Sequence, residues 1–203
     1  MRVVPGKGGF DCALALVLVV AFTPLFVALA LAIKLDDGGP VLFRQQRTGF
    51  RGELFTILKF RTMIVGAQRR GRQITVGADA RITRIGHWLR ASKLDELPQL
   101  VNILRGEMSF VGPRPEVPRY TLRYTRGDRM VMRRRPGLTD PSSLRYRSES
   151  ALLGLAADPD SLYRLRILPD KLRGSLRYAQ SQSIASDFRI LIATACTRRW
   201  NAA

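Results

Sequence analysis

Acid is scarce in this chain. Its 16 Asp and Glu stand against 34 Lys and Arg, a formal net charge of +18 over 203 residues. Histidine is scarcer still: His87 is the only one, so chemistry built on a histidine pair or a Ser–His arrangement would have to rest on it alone. No serine in a nucleophile-elbow context lies near it, and it is read as structural or exposed. The two cysteines, Cys12 and Cys196, fit neither a metal-ligand spacing nor a disulfide framework. Their apolar surroundings mark them as buried small hydrophobes or lipid-facing residues. Lysine is also rare, at 5 against 29 arginines. There is no internal repeat and no low-complexity segment. No helix-turn-helix, zinc-finger or RNA-binding aromatic pattern accompanies the basic charge, which leaves a membrane-tethered nucleic-acid-binding module without a motif. The charge itself calls for an anionic partner: nucleic acid, lipid headgroups or a phosphorylated substrate. The length suffices for one domain with a core, plus an appendage.

The appendage is apolar. Cys12 to Ile33 is a run of 22 residues without a charge. As a straight helix it would rise roughly 33 Å, the thickness of a hydrocarbon core. It is long for the core of a signal peptide, and Asp11 stands directly at its start. Thr23-Pro24 falls in its middle, where proline removes a backbone donor and clashes with the carbonyl four residues back. The helix either crosses a membrane with a kink or bends there and leaves on the side it came from. Thr23 can satisfy a freed carbonyl in lipid. Basic residues lie on both sides (Arg2 and Lys7 before; Lys34, Arg44 and Arg47 after), so the positive-inside rule names no outward end.

Asp36-Asp37-Gly38-Gly39-Pro40 reads as a polar turn beyond this segment. Residues 41–47 and 53–60 read as strands of a hairpin around Thr48-Gly49-Phe50-Arg51-Gly52. The second strand ends in Lys59-Phe60-Arg61-Thr62-Met63, two cations two apart and so on one face, suited to a diphosphate. Ile82 to Leu89 predicts a short helix or turn leading to Arg90. Residues 117–135 read as helical, ending in Arg133-Arg134-Arg135. Residues 162–179 carry Leu162, Leu165, Leu168, Leu172, Leu176 and Ala179 on one stripe, with Pro169 as a start or kink. Asp187 to Trp200 predicts a last apolar helix with Arg198, Arg199 and Trp200 as an interfacial anchor set.

The densest chemistry lies between. In Lys93-Leu94-Asp95-Glu96-Leu97-Pro98-Gln99-Leu100 two adjacent carboxylates precede an apolar helix pattern at Leu97, Leu100, Val101 and Leu104, closed by Gly106. Pro98 is tolerable only in a first turn, so the helix is expected to begin at about Asp95 or Glu96. Asp is then an ordinary N-cap, or the acids are a catalytic pair at a helix end. A short strand over 107–111 leads to Gly112-Pro113-Arg114-Pro115-Glu116. Its prolines restrict Arg114 to an extended backbone and can hold a guanidinium and a carboxylate in fixed positions.

Six motifs in order carry a resemblance: the Asp11-led segment with Thr23-Pro24; Gly39-Pro40-Val41-x-Phe43-x-Gln45-x-Arg47-x-Gly49; Lys59-Phe60-Arg61-Thr62-Met63; Leu94-Asp95-Glu96-Leu97-Pro98-Gln99; Gly112-Pro113-Arg114-Pro115-Glu116; and Pro136-Gly137-Leu138-Thr139. Over nearly its whole length the chain resembles the bacterial sugar transferase family, the monotopic phosphoglycosyl transferases, in their short form. The resemblance implies a compact α/β catalytic domain over 37–203 on the cytoplasmic face of a bacterial inner membrane. Residues 1–36 would anchor it as a re-entrant helix broken at Thr23-Pro24, with amphipathic helices at the lipid surface. It implies transfer of a sugar-1-phosphate from a UDP-sugar to polyprenol phosphate with release of UMP, at the start of glycoconjugate or exopolysaccharide assembly.

Asp95 would be the nucleophile, Glu96 its partner and magnesium the required ion, with Asp95 a candidate ligand. Arg90 matches a family active-site arginine, and Arg114 with Glu116 the nucleotide-binding loop. Charge neutralisation suits Lys59, Arg61, Arg90 and Arg114. The expected partners are donor, acceptor and membrane lipid, with a homodimer possible and no nucleic acid. A non-catalytic adaptor would keep the anchor without the activity. The chain departs from the family's usual pattern at Lys7-Gly8 and at Asp140-Pro141-Ser142-Ser143, and the second departure leaves the sugar open.

Overall fold

The computed structural model describes residues 5–67, 76 and 79–196. Its first two helices are α1 (Lys7–Ala21) and α2 (Thr23–Asp37), bent by 63° at the expected break. Pro24 sits in the first turn of α2, where its missing N–H would have had no helical partner. Thr23 Oγ1 donates to the Val19 carbonyl at 2.8 Å and so takes up one acceptor at the end of α1. Neither helix alone is long and apolar enough to cross a membrane; the bent pair is, by length and composition. Leu16, Val17, Val20, Val27 and Leu31 are each more than half exposed. The opposite faces, with Ala15, Leu29 and Ile33, are buried against the rest of the chain.

Gly38, in the left-handed region, ends α2. Strands β1 (Leu42–Thr48) and β2 (Leu54–Phe60) form the expected antiparallel hairpin, in register from Leu42 opposite Phe60 to Thr48 opposite Leu54. A second pair, β3 (Ser109–Val111) and β4 (Gly137–Thr139), is parallel. Among the described residues the fold is thus mixed helix and sheet, with two separate two-stranded sheets. One core packs β2 and β3 under α1 and α4 (Gln99–Leu104), with Phe55, Ile57, Leu100, Ile103, Met108 and Phe110. A second gathers Tyr120, Leu153, Tyr163, Ile167 and Leu172, and a third fixes α2 on β2 and α3 (Arg84–Ser92).

Several expectations are corrected. No long helix covers 117–135: α5 (Pro118–Thr121) and a 3-10 segment (Asp128–Arg133) are separated by a turn in which Thr125 and Asp128 bond each other. After α6 (Pro141–Arg145) and α7 (Glu149–Gly154), a helical run begins with α8 (Pro159–Leu162) and ends with α9 (Leu168–Ser181). Between α8 and α9 the backbone widens into a π turn over Tyr163–Ile167. The widened turn makes room for the ring of Pro169, which would otherwise strike the carbonyl four residues back. It also shifts the stripe by a residue: Tyr163 and Ile167 are buried, whereas Leu165 is exposed. The cysteines are both exposed, so they are not buried small hydrophobes. The last helix, α10, runs Ile184–Cys196; Arg198, Arg199 and Trp200 lie outside the described residues, as does Arg2.

Candidate active site

The segment around Asp95 does not start a helix in the expected way. Lys93 takes a left-handed conformation and breaks the chain away from α3. In an α-helix the Leu94 carbonyl would take its bond from residue 98, but Pro98 has no N–H to give. The Leu97 N–H donates to Leu94 instead, at 3.2 Å, and residues 94–96 close as a 3-10 turn. Helix α4 follows from Gln99 with no side-chain cap. Asp95 is therefore not an N-cap, and its carboxylate is free of that duty.

The turn presents its two acids differently. Glu96 Oε1 accepts from Lys59 Nζ at 2.6 Å and from an Arg114 Nη at 2.9 Å. Burial alone would raise its pKa, but the two cations override it and hold Glu96 well below the usual carboxylate range. Arg114 is correspondingly raised, first by Glu96. Asp95 is 8 % exposed, and among the described residues its buried Oδ1 has no hydrogen-bond partner. Burial raises its pKa, against the opposing pull of Lys59, Lys93 and Arg90. One acid is fixed as an anion by direct contacts; the other is a buried carboxylate with an oxygen unpartnered among the described residues and cations around it.

Each neighbour is placed by a separate element. Lys59 comes from β2. Arg90 comes from α3, whose N-cap Thr83 accepts from Gly86 N at 3.1 Å. A Cβ on Gly86 would stand 2.2 Å from the Thr62 carbonyl oxygen, so glycine there lets α3 lie on the chain leaving β2. Arg90 Nε then donates to Thr62 Oγ1 at 2.8 Å. Arg114 comes from the Pro113-Arg114-Pro115 loop after β3. A strand end, a helix and a loop thus converge on the Asp95-Glu96 turn.

Two sequence-predicted residues fall elsewhere. Arg61 is buried and forks onto both Asp37 oxygens, with further bonds to the Pro40 and Met63 carbonyls. It ties the end of α2 to β2 rather than facing Asp95, and Asp37 is its counter-ion rather than a plain turn residue. Glu116 lies behind the Arg114 loop, where Tyr163 Oη donates to its Oε1 at 2.7 Å and its backbone oxygen accepts from Thr48 N at 3.0 Å. Its charge still favours charged Arg114 and Arg47. Lys93 and Arg47 are neighbours of the site that no expectation from the sequence singles out. Arg47 donates to the Pro115 carbonyl at 3.0 Å and so braces the loop. Its place in the motif preceding Gly49 was the available signal.

Among the described residues no cluster of three or more His, Cys, Asp and Glu could hold a metal ion by itself. Magnesium, however, binds through one or two carboxylates plus substrate phosphate oxygens. The unpartnered Asp95 Oδ1 fits that mode; Glu96, already engaged by two cations, does not.

Asp95 thus sits buried among Lys59, Lys93 and Arg90, cations of the kind that suit a phosphate. The family model for bacterial sugar transferases matches residues 3–199, and the chain belongs to that family. It is similar to an undecaprenyl-phosphate glucose phosphotransferase of Komagataeibacter xylinus, 38 % identical over 93 % of this chain and 35 % of that protein. A UDP-glucose:undecaprenyl-phosphate glucose-1-phosphate transferase of Caulobacter vibrioides is 37 % identical over 93 % of this chain and 67 % of its own length. The exopolysaccharide production protein ExoY of Sinorhizobium fredii is 33 % identical over 93 % of this chain and 83 % of its own. The chain therefore spans about a third of the first relative and two thirds of the second.

Proposed function

We propose that this chain transfers a sugar-1-phosphate from a UDP-sugar to a polyprenol phosphate, in the assembly of a membrane-linked polysaccharide. The observation that carries the reading is the buried Asp95 Oδ1, unpartnered among the described residues, set against a Glu96 engaged by Lys59 and Arg114. Asp95 attacks the sugar-bearing phosphorus of the donor. The bond from that phosphorus to the bridging oxygen breaks, UMP leaves, and an acyl phosphate carries the sugar. An oxygen of the polyprenol phosphate then attacks the same phosphorus, forms the diphosphate and returns Asp95 as a free carboxylate.

Glu96 takes no proton in this scheme. It holds Lys59 and Arg114 at the phosphate-facing side, where their charges meet the charge spread over the transferring group. Arg90, fixed on Thr62, supplies a third cation. Magnesium, held through Asp95 and the donor's phosphates, would neutralise part of the same charge. Burial of Asp95 raises the free energy of its ionised form and sharpens it as a nucleophile once the donor's charge is neutralised.

The exposed aliphatic face of α1 and α2 supports insertion in a lipid bilayer, and the bend at Thr23-Pro24 suits a re-entrant course; use of a UDP-sugar would then put the catalytic part on the cytoplasmic face. The relatives named for UDP-glucose make that donor the first to test. A relative from Aeromonas hydrophila, 37 % identical over 81 % of this chain, is named for N-acetylgalactosamine, so the screen includes UDP-N-acetylgalactosamine. The test is UMP release by purified chain with magnesium, polyprenol phosphate and each donor. The wild type releases UMP with one of them and Asp95→Asn releases none; full activity in Asp95→Asn overturns the assignment of the nucleophile.

A further inference from the structure

The Pro113-Arg114-Pro115 triplet has a single backbone donor, the Arg114 N–H, because neither proline has one. That donor is taken by a side chain from another element: Asp140 Oδ2 accepts it at 3.3 Å. The same oxygen accepts from Ser175 Oγ of α9 at 3.0 Å. The other Asp140 oxygen accepts from Ser143 N and caps α6. Asp140 is 1 % exposed. The triplet's two proline carbonyls are held as well: Pro113 O accepts from Gly137 N at 2.9 Å, and Pro115 O from Arg47. A Cβ on Gly137 would stand 2.1 Å from Gly112 N, so the two chains run backbone to backbone up to this point. An N-cap alone would need one Asp140 oxygen; the second faces the loop that carries Arg114.

We propose that Asp140 is a positioning residue for Arg114: by holding the triplet's only N–H, and being held itself by Ser175, it fixes where the guanidinium stands between Glu96 and the donor. This rests on the reading of Arg114 as a ligand of the donor diphosphate. It gives the Asp140-Pro141-Ser142-Ser143 stretch a task at the site that neither motif matching nor the catalytic scheme assigns.

Asp140→Asn tests it with little disturbance, because the two side chains have the same shape. An amide has one acceptor oxygen. With that oxygen capping Ser143, the NH2 faces the Arg114 N–H, donor against donor, while the Ser175 hydroxyl can turn and accept. The variant keeps the cap and loses the strut. Amide exchange in the full-length protein then rises about tenfold or more at Arg114 and stays unchanged at Ser143. With UDP-glucose, or the donor that the screen selects, KM rises roughly tenfold while kcat changes far less. In an Arg114→Ala background, Asp140→Asn adds nothing further to the donor KM. Unchanged exchange at Arg114, or an equal effect of Asp140→Asn with and without Arg114, overturns the proposal. Faster exchange at Arg114 together with an Arg114→Ala variant of unchanged donor KM leaves the strut standing and instead overturns the donor role of Arg114.

Discussion

Lys59 Nζ lies 2.6 Å from Glu96 Oε1, and both side chains are largely withdrawn from water. The bond joins the end of a strand to a turn 37 residues further along the chain, and it sets a buried ion pair whose charges both act on Asp95. Its partners serve the fold and the chemistry at once, and substitution separates the two roles.

Removing one ion of a buried pair costs more than removing both. Lys59→Met leaves Glu96 with Arg114 alone, and the loss of stability is expected to be about 3 kcal/mol. Lys59→Met with Glu96→Gln restores most of that stability and none of the transfer activity. Chemical denaturation and UMP release on the same preparations give the two readings.

The two acids respond differently to pH. Asp95 is raised by burial, so it protonates first as pH falls, and transfer activity declines at a pH above the ordinary aspartate value of about 3.9. Glu96, held low against its own burial by Lys59 and Arg114, remains ionised through that range. The acid limb of the pH–rate profile therefore belongs to Asp95, and it persists in any Glu96→Gln variant that retains measurable turnover. The sign for stability follows from proton uptake. A carboxyl raised in the folded state binds more protons folded than unfolded, so it opposes folding above its folded pKa, and that opposition fades as pH falls through it. Asp95→Asn is accordingly at least as stable as wild type at neutral pH in thermal unfolding, while inactive.

The spacing of Lys59 and Arg61 predicts two phosphate ligands on one strand face, but Arg61 is committed to Asp37. Asp37→Asn or Arg61→Met is expected to destabilise the protein by about 2 kcal/mol, allowing for the partial exposure of Asp37. The donor KM of the folded fraction stays within about twofold of wild type, since no donor contact is removed. Titration of initial rates against UDP-sugar, corrected for active protein, checks it.

The bend at Thr23-Pro24 sets the course of the anchor. Single cysteines at Pro5 and Leu35, in a background with Cys12 and Cys196 replaced, are expected to react with an impermeant thiol reagent from the same membrane side. Pro24→Leu restores the backbone donor and favours a straight helix, bringing the two positions to opposite sides. Labelling of wild-type positions from opposite sides contradicts the re-entrant course.

Local chemistry was legible where it dictates backbone: Pro24 broke the helix where expected, and the glycine-bearing loop at 49–52 closed the hairpin. Asp95, Glu96, Lys59, Arg90 and Arg114 were each marked by the motif around them, and the fold gathers all five. What was not legible depended on distant partners or on small changes of helical pitch. Nothing near Arg61 announces that Asp37 waits 24 residues earlier. Pro98 carried the signal that α4 would start late, but its effect on the Leu94 carbonyl depends on a 3-10 closure that residue spacing alone does not distinguish. The π turn before Pro169 moved Leu165 outward by the same kind of one-residue shift. Asp140 stands in the sequence only as a departure from the family pattern, because its second oxygen finds its donor in a loop 26 residues away.

In the proposed transfer Asp95 carries the phosphosugar. Intact-protein mass spectrometry of the wild type, mixed with its UDP-sugar and magnesium but without polyprenol phosphate, reads it directly. The account predicts a covalent adduct with the mass of one sugar phosphate that maps to Asp95, is absent in Asp95→Asn and is discharged when polyprenol phosphate is added. UMP release at full rate with no adduct, or an adduct on another residue that persists in Asp95→Asn, would contradict it.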